Sequence, residues 1–171
     1  MERIFLLDRS GSMASIRDDT IGGFNSFIGS QVDGTMSLVM FDHEVIECYK
    51  DVPMNEVTQL VDFVPRGSTA LLDAMGYVLK SFKGGKKTVV VLTDGEENAS
   101  KHYTRAHIRD LIEIRKSEGW DFVYLGVDIN ESQNLGFNTS VYFNGLNTGE
   151  LFTSLSTAMT QASQTGQCIE L

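Results

Sequence analysis

The run Ile4-Phe5-Leu6-Leu7-Asp8-Arg9-Ser10-Gly11-Ser12 opens with four apolar residues and stops abruptly at a carboxylate. The apolar part is too short for a helix and does not alternate with polar residues. It reads as a strand buried on both faces, the habit of parallel sheets covered by helices. After Asp8 the residues are those of a loop: two hydroxyls and a glycine that permits a tight turn.

The same grammar repeats along the chain. Ile21, Phe24 and Ile28 fall on one helical face, with Asp18, Asp19 and Thr20 at its start. Thr35 to Phe41 is a second apolar strand. Asp42-His43-Glu44 reads as a turn into a third, Val45 to Tyr49, the one hairpin-length connection. Val57, Leu60 and Val61 predict a short helix before Pro65, and Leu71, Met75, Val78 and Phe82 a longer one stopped by Gly84-Gly85. Strands are expected at Thr88–Leu92, Phe122–Val127 and Val141–Phe143. Helices are expected around Ile108–Arg115 and across Leu151, Leu155, Met159 and Ala162. The expected fold is therefore α/β: a Rossmann-like, doubly wound, mainly parallel sheet with one antiparallel edge strand and helices on both faces. At 171 residues the chain is read as a single domain, with a core over about 3–163 and a tail at 164–171.

Composition narrows the partners. With 14 basic and 23 acidic residues the formal charge is −9, which disfavours phosphate backbones and anionic membranes, so neither nucleic acid nor membrane is expected. No apolar run has the length of a spanning helix, and the start of the chain lacks the pattern of a secretory signal. Cys48 and Cys168 lie too far apart in sequence to suggest a zinc site or a disulfide framework, and are read as reduced thiols. A cytoplasmic setting is the expectation.

Open sheets of this type bind ligands beyond the carboxyl ends of their strands. Three segments are expected there: Asp8-Arg9-Ser10-Gly11-Ser12, Gly67-Ser68-Thr69 and Thr93-Asp94-Gly95. Their candidate donors, Asp8, Ser10, Ser12, Thr69 and Asp94, are all oxygens. Oxygen donors select magnesium, manganese or calcium over zinc or copper. The competing reading for the hydroxyls is helix and turn capping.

At these residues the chain resembles the metal-ion-dependent adhesion site of von Willebrand factor type A domains. The match is Asp8-x-Ser10-x-Ser12, then Thr69, then Asp94, with similar flanks in Leu7 to Met13, Pro65 to Thr69 and Leu92 to Gly95. More narrowly, it resembles small stand-alone bacterial and phage members of that family. Ser68 departs from the pattern, since many members have glycine there. The resemblance implies a Mg2+ ion with an open coordination position, Mn2+ or Ca2+ being alternatives. Ser10 and Ser12 would bind it directly, Thr69 and Asp94 directly or through water, and Asp8 from behind or through water. It implies a protein-binding module whose metal accepts an Asp or Glu carboxylate from a partner protein, either a separate polypeptide or another copy of this chain. The setting would be a bacterial or phage-infected cell, or a virion.

Two other functions compete. One is a structural component of a phage particle or larger assembly, with the metal only holding loops. The other is a phosphatase-like hydrolase, since an aspartate after the first strand also serves that chemistry. Ser10 occupies the position where such an enzyme needs a second aspartate, and no G-x-S-x-G elbow occurs, so no enzyme is expected.

The remaining polar residues receive plainer readings. Asp42 is a turn residue, and Asp73 stabilises a helix N-terminus. Glu96 and Glu97 are solvated acids, and His43, His102 and His107 are surface histidines. Arg9 either meets an acidic partner or is solvated.

Overall fold

A computed structural model of the chain describes residues 1–94 and 96–142, and beyond them 150, 152, 153 and 155. Strand β1 (Glu2–Asp8) leads through a 3-10 turn (Gly11–Ile16) into α1 (Arg17–Ser30). Then come β2 (Thr35–Phe41), β3 (Val45–Pro53), α2 (Leu71–Ser81), β4 (Lys87–Thr93), α3 (Arg105–Ser117), β5 (Asp121–Gly126), α4 (Ile129–Leu135) and β6 (Thr139–Tyr142). The sheet order is β3-β2-β1-β4-β5-β6. Only the β2–β3 pair is antiparallel; the other four pairs are parallel.

Period-two alternation within β1 divides the core. Phe5 and Leu7 face one layer with Phe24 and Phe27 of α1, while Ile4 and Leu6 face the other with Leu71, Met75 and Val78 of α2. Both faces are covered, so the strands are apolar throughout, as expected. Phe152 and Leu155, in helical conformation, are buried in the α1-side layer. Leu151, Met159, Ala162 and Phe143, the remainder of the last predicted elements, lie outside the described residues, as does the expected tail.

Three local expectations are corrected. The helix predicted at Val57–Val61 does not form. There the backbone of Leu60 bonds instead to the Asn25 side chain, donating to Oδ1 at 2.6 Å and accepting from Nδ2 at 3.1 Å. Leu60 is buried and Val57 packs on the same core layer, while Val61 is left 71% exposed. β3 runs past Tyr49 to Pro53, which an edge strand tolerates because its outer N–H groups need no partner. Helix α4 escapes a periodicity argument because its sequence, Ile129-Asn-Glu-Ser-Gln-Asn-Leu135, has little apolar periodicity to read. Its termini are nevertheless legible: Asp128 caps the Glu131 N–H, and Gly136 closes the helix at φ 83°.

The order of strands positions the site. From β1 the chain winds outward to β2 and β3, then returns to pair β4 on the other side of β1. The winding direction reverses between β1 and β4, so the loops after these strands diverge and leave a crevice. Asp8 closes β1, and Asp94 comes directly after β4.

Candidate functional site

Asp8 is fully buried at the end of β1. Its Oδ2 accepts the Thr93 hydroxyl at 2.6 Å from the neighbouring strand, and its Oδ1 accepts the Ser10 N–H at 2.6 Å. The second bond curls the chain back, so Ser10 points its hydroxyl along the rim. Ser10 Oγ lies 3.2 Å from Ser12 Oγ, and the Ser12 hydroxyl donates to Asp94 Oδ1 at 2.8 Å. Asp8, Ser10, Ser12 and Asp94 are thus joined in one hydrogen-bonded chain from buried strand end to exposed rim.

Capping does not account for these hydroxyls. Ser10 precedes the 3-10 turn but makes no side-chain cap bond to it. The first N–H groups of α2 are served from elsewhere: Leu72 donates to Glu97 Oε1 at 3.3 Å and Asp73 to Ser100 Oγ at 3.0 Å. Thr69 is buried, and its backbone holds residues 98 and 99 in place. Its N–H donates to Asn98 Oδ1 at 2.8 Å, and its carbonyl accepts from Asn98 and Ala99 at 2.9 and 3.0 Å. Its loop is also tied to the Ser10 loop, with Gly11 N–H donating to Gly67 O at 3.0 Å. The Gly67 backbone has φ 69°, which favours glycine.

Electrostatics set the two carboxylates apart. Burial pushes the Asp8 carboxyl above the usual range, and the charge of Asp94 adds to it; the Thr93 and Ser10 hydrogen bonds only partly offset this. Burial also raises Asp94, against the bond from Ser12. Among the described residues, no ion pair reaches either carboxylate. The nearest arginine in sequence, Arg9, is engaged elsewhere.

Three of the plainer readings are corrected. Asp42 is more than a turn residue. Fully buried, it accepts Arg9 Nε and Nη2 at 3.2 and 3.0 Å, Arg66 Nε at 2.9 Å and the Glu44 N–H at 2.7 Å. Its carbonyl also takes the Ala70 N–H at 2.7 Å. Desolvation alone would raise its carboxyl, but the Glu44 N–H, Arg9 and Arg66 together hold it below the usual range. Arg9 is therefore neither solvated nor reserved for a partner. Asp73 has its expected place in the first turn of α2, and its carboxylate also accepts the N–H groups of Lys101, His102 and Tyr103. Glu97 caps α2 rather than lying in solvent. These pairings span 24 to 33 residues of chain and carry no local sequence signal.

Ligand atoms of Asp42, His43 and Glu44 lie within 4.8 Å of one another, a second arrangement that could hold a cation. Here the charge is already neutralised. Arg9 and Arg66 occupy Asp42 Oδ2, and Arg66 also reaches Glu44 at 2.8 Å. An incoming metal would have to displace two guanidinium groups, which the Asp8–Asp94 pair does not require.

No protein-family model matches the chain, and no curated protein matches it in sequence. Its fold does match solved structures. A von Willebrand factor type A structure from Catenulispora acidiphila superposes with TM-score 0.68 at 13% identity, covering 92% of this chain and 42% of that one. The conserved hypothetical protein BatB from Bacteroides thetaiotaomicron gives 0.67 at 14%, covering 96% and 100%. The ArnB paralog VWA2 from Sulfolobus acidocaldarius gives 0.67 at 16%, covering 92% and 44%. The chain thus spans less than half of the first and third and the whole of the second. Its fold is that of the von Willebrand factor type A domains. At this identity the likeness is one of architecture.

Proposed function

We propose that the domain is a metal-dependent protein-binding module. A Mg2+ ion, with Mn2+ or Ca2+ as substitutes, would be held by Ser10, Ser12, Thr69 and Asp94, with Asp8 behind them. The observation that carries this reading is the chain of oxygens from Asp8 through Ser10 and Ser12 to Asp94. It gathers two carboxylates raised by burial, and among the described residues neither is ion-paired. The donor set fits a hard cation. When bound, the metal supplies a Lewis-acidic position for a carboxylate of a partner protein. The chain's own residues do the rest. Asp8 fixes the Ser10 backbone, Thr93 orients Asp8, and the Asp42–Arg9–Arg66 cluster holds the surrounding loops. Binding rather than hydrolysis is favoured because the two serine hydroxyls bond to each other and to Asp94, not to an imidazole that could act as base. The partner would be a separate acidic protein segment or another copy of this chain.

The test is thermal melting with Mg2+ or Mn2+ against EDTA. A ligand that binds only the folded state stabilises by about 2.7 kcal/mol at a hundredfold excess over Kd, which is roughly 5–11 °C for a chain this size. Ser10→Ala with Ser12→Ala should melt as one cooperative unit yet lose the metal response. Equal melting of the unmutated chain in both buffers would count against the site.

A further inference from the structure

The main chain around Thr69 is bonded at every polar group. The Thr69 N–H donates to Asn98 Oδ1 at 2.8 Å, and its carbonyl accepts the N–H groups of Asn98 and Ala99 at 2.9 and 3.0 Å. The next N–H, that of Ala70, donates to the Asp42 carbonyl at 2.7 Å. The side chain is treated differently. Thr69 is only 3% exposed, yet among the described residues its hydroxyl has no hydrogen-bond partner. A fixed stretch of backbone thus carries a hydroxyl that the rest of the described chain leaves unused.

The bonds that fix it divide by partner. Arg66 N–H donates to the Arg9 carbonyl at 2.8 Å and the Gly67 carbonyl accepts from Gly11, so this part of the loop is tied to the segment after β1. Ala70 is tied to the turn after β2. Among the described residues, Thr69 is the member of the 66–70 loop bonded to the segment after β4, and Asn98 takes part on both sides: its side chain accepts and its own N–H donates. Asn98 is exposed, so its contribution is made through these bonds rather than through packing. Its amide supplies a neutral acceptor, where an aspartate would add a charge beside Asp94 and Glu97. We infer that Asn98 is a positioning residue for the cation: its paired bonds with Thr69 fix the backbone that carries the Thr69 hydroxyl and tie it to the segment of Asp94, four residues upstream. The inference rests on the metal reading above. Residues that orient metal ligands from outside typically contribute about 10–100-fold to metal affinity.

The same paired geometry recurs away from the site and supplies a control. Near the start of β5, Asn138 Oδ1 accepts the Phe122 N–H at 2.9 Å and the Asn138 N–H donates to the Phe122 carbonyl at 3.1 Å. The experiment follows free Mn2+ by electron paramagnetic resonance as it is titrated into the full chain. Asn98→Ala should weaken Mn2+ binding by about 10–100-fold. Asn98→Gln, which keeps the amide but moves it by one methylene, should weaken it as well. Asn138→Ala should lower the melting temperature and leave Mn2+ affinity unchanged. With Thr69→Ala already in place, Asn98→Ala should cost little more, because the hydroxyl it positions is gone. A readout without metal accompanies these: in EDTA, amide hydrogen exchange at Thr69 should quicken in Asn98→Ala and slow again in Asn98→Asp, which keeps an acceptor oxygen. Unchanged Mn2+ affinity in Asn98→Ala overturns this inference alone, as do losses that multiply in the double variant or an equal loss in Asn138→Ala. An unmutated chain that binds no Mn2+ overturns the metal reading and this inference with it.

Discussion

Replacing Asp42 by asparagine should loosen the rim by an amount that the geometry bounds. Asparagine keeps one acceptor for the Glu44 N–H, which lies 2.7 Å from Oδ1. It puts either an amide N–H₂ or nothing useful where Oδ2 now meets both arginines. The Arg9 side chain is 16% exposed and makes two bonds, so its loss carries the weight of a charged hydrogen bond in a mostly buried setting. That is about 1.5–3 kcal/mol. The Arg66 side chain is 48% exposed. Solvent screens it, so its share is minor. The loss, about 1.5–3 kcal/mol, corresponds to a fall in Tm of roughly 3–12 °C for a chain of this length. Calorimetric melting in EDTA isolates this effect from any metal. Its pH dependence has a definite sign. The folded-state carboxyl of Asp42 lies below its unfolded value, so its contribution is complete above about pH 4 and disappears as pH falls through the folded-state value. The gap between the two proteins should therefore close on acidification. Equal melting at neutral pH, or a gap that widens in acid, would refute the assignment of Asp42 as the charged anchor of these loops.

Three further outcomes are expected. Asp94→Asn should raise Tm in EDTA at neutral pH: the folded carboxyl is raised by burial, so its charge costs stability above that value and the cost vanishes below about pH 4. In saturating Mg2+ the order should reverse, with only the unmutated chain gaining, and melting curves in the two buffers check both signs. Adjacent glycines of α1 should respond oppositely in chemical denaturation. At Gly22 a Cβ meets nothing within 4 Å, so alanine should stabilise by up to about 1 kcal/mol. At Gly23 a Cβ would lie 2.3 Å from the buried Phe152 ring, so alanine should cost about 1–3 kcal/mol. Thr104→Ala removes the acceptor of the His107 N–H at the start of α3 and should lower Tm by about 2–4 °C, an effect near 1 kcal/mol.

The apolar runs and helical spacings in the sequence were enough to place β1, β2, β4, β5, α2 and α3, because each buries a face whose period is written locally. The same runs, apolar on both sides, implied a parallel sheet, and the ends of β1 and β4 marked where chemistry would gather. The failures were equally physical. Residues 57–61 have apolar content, but their backbone is claimed by Asn25, a partner some 35 residues away. Helix α4 is held by its caps rather than by an apolar stripe.

The amino-acid order by itself therefore determined the layers of the fold and named Asp8, Ser10, Ser12, Thr69 and Asp94 as candidate donors, since residue type and position after a buried strand are local facts. Only the tertiary structure decided how their surroundings are shared out. It joined Ser12 to Asp94 across 82 residues and sent Arg9 and Arg66 to Asp42. That division depends on which loops meet at the reversal of the sheet. Charges pair by distance in space, and a linear sequence does not contain that distance.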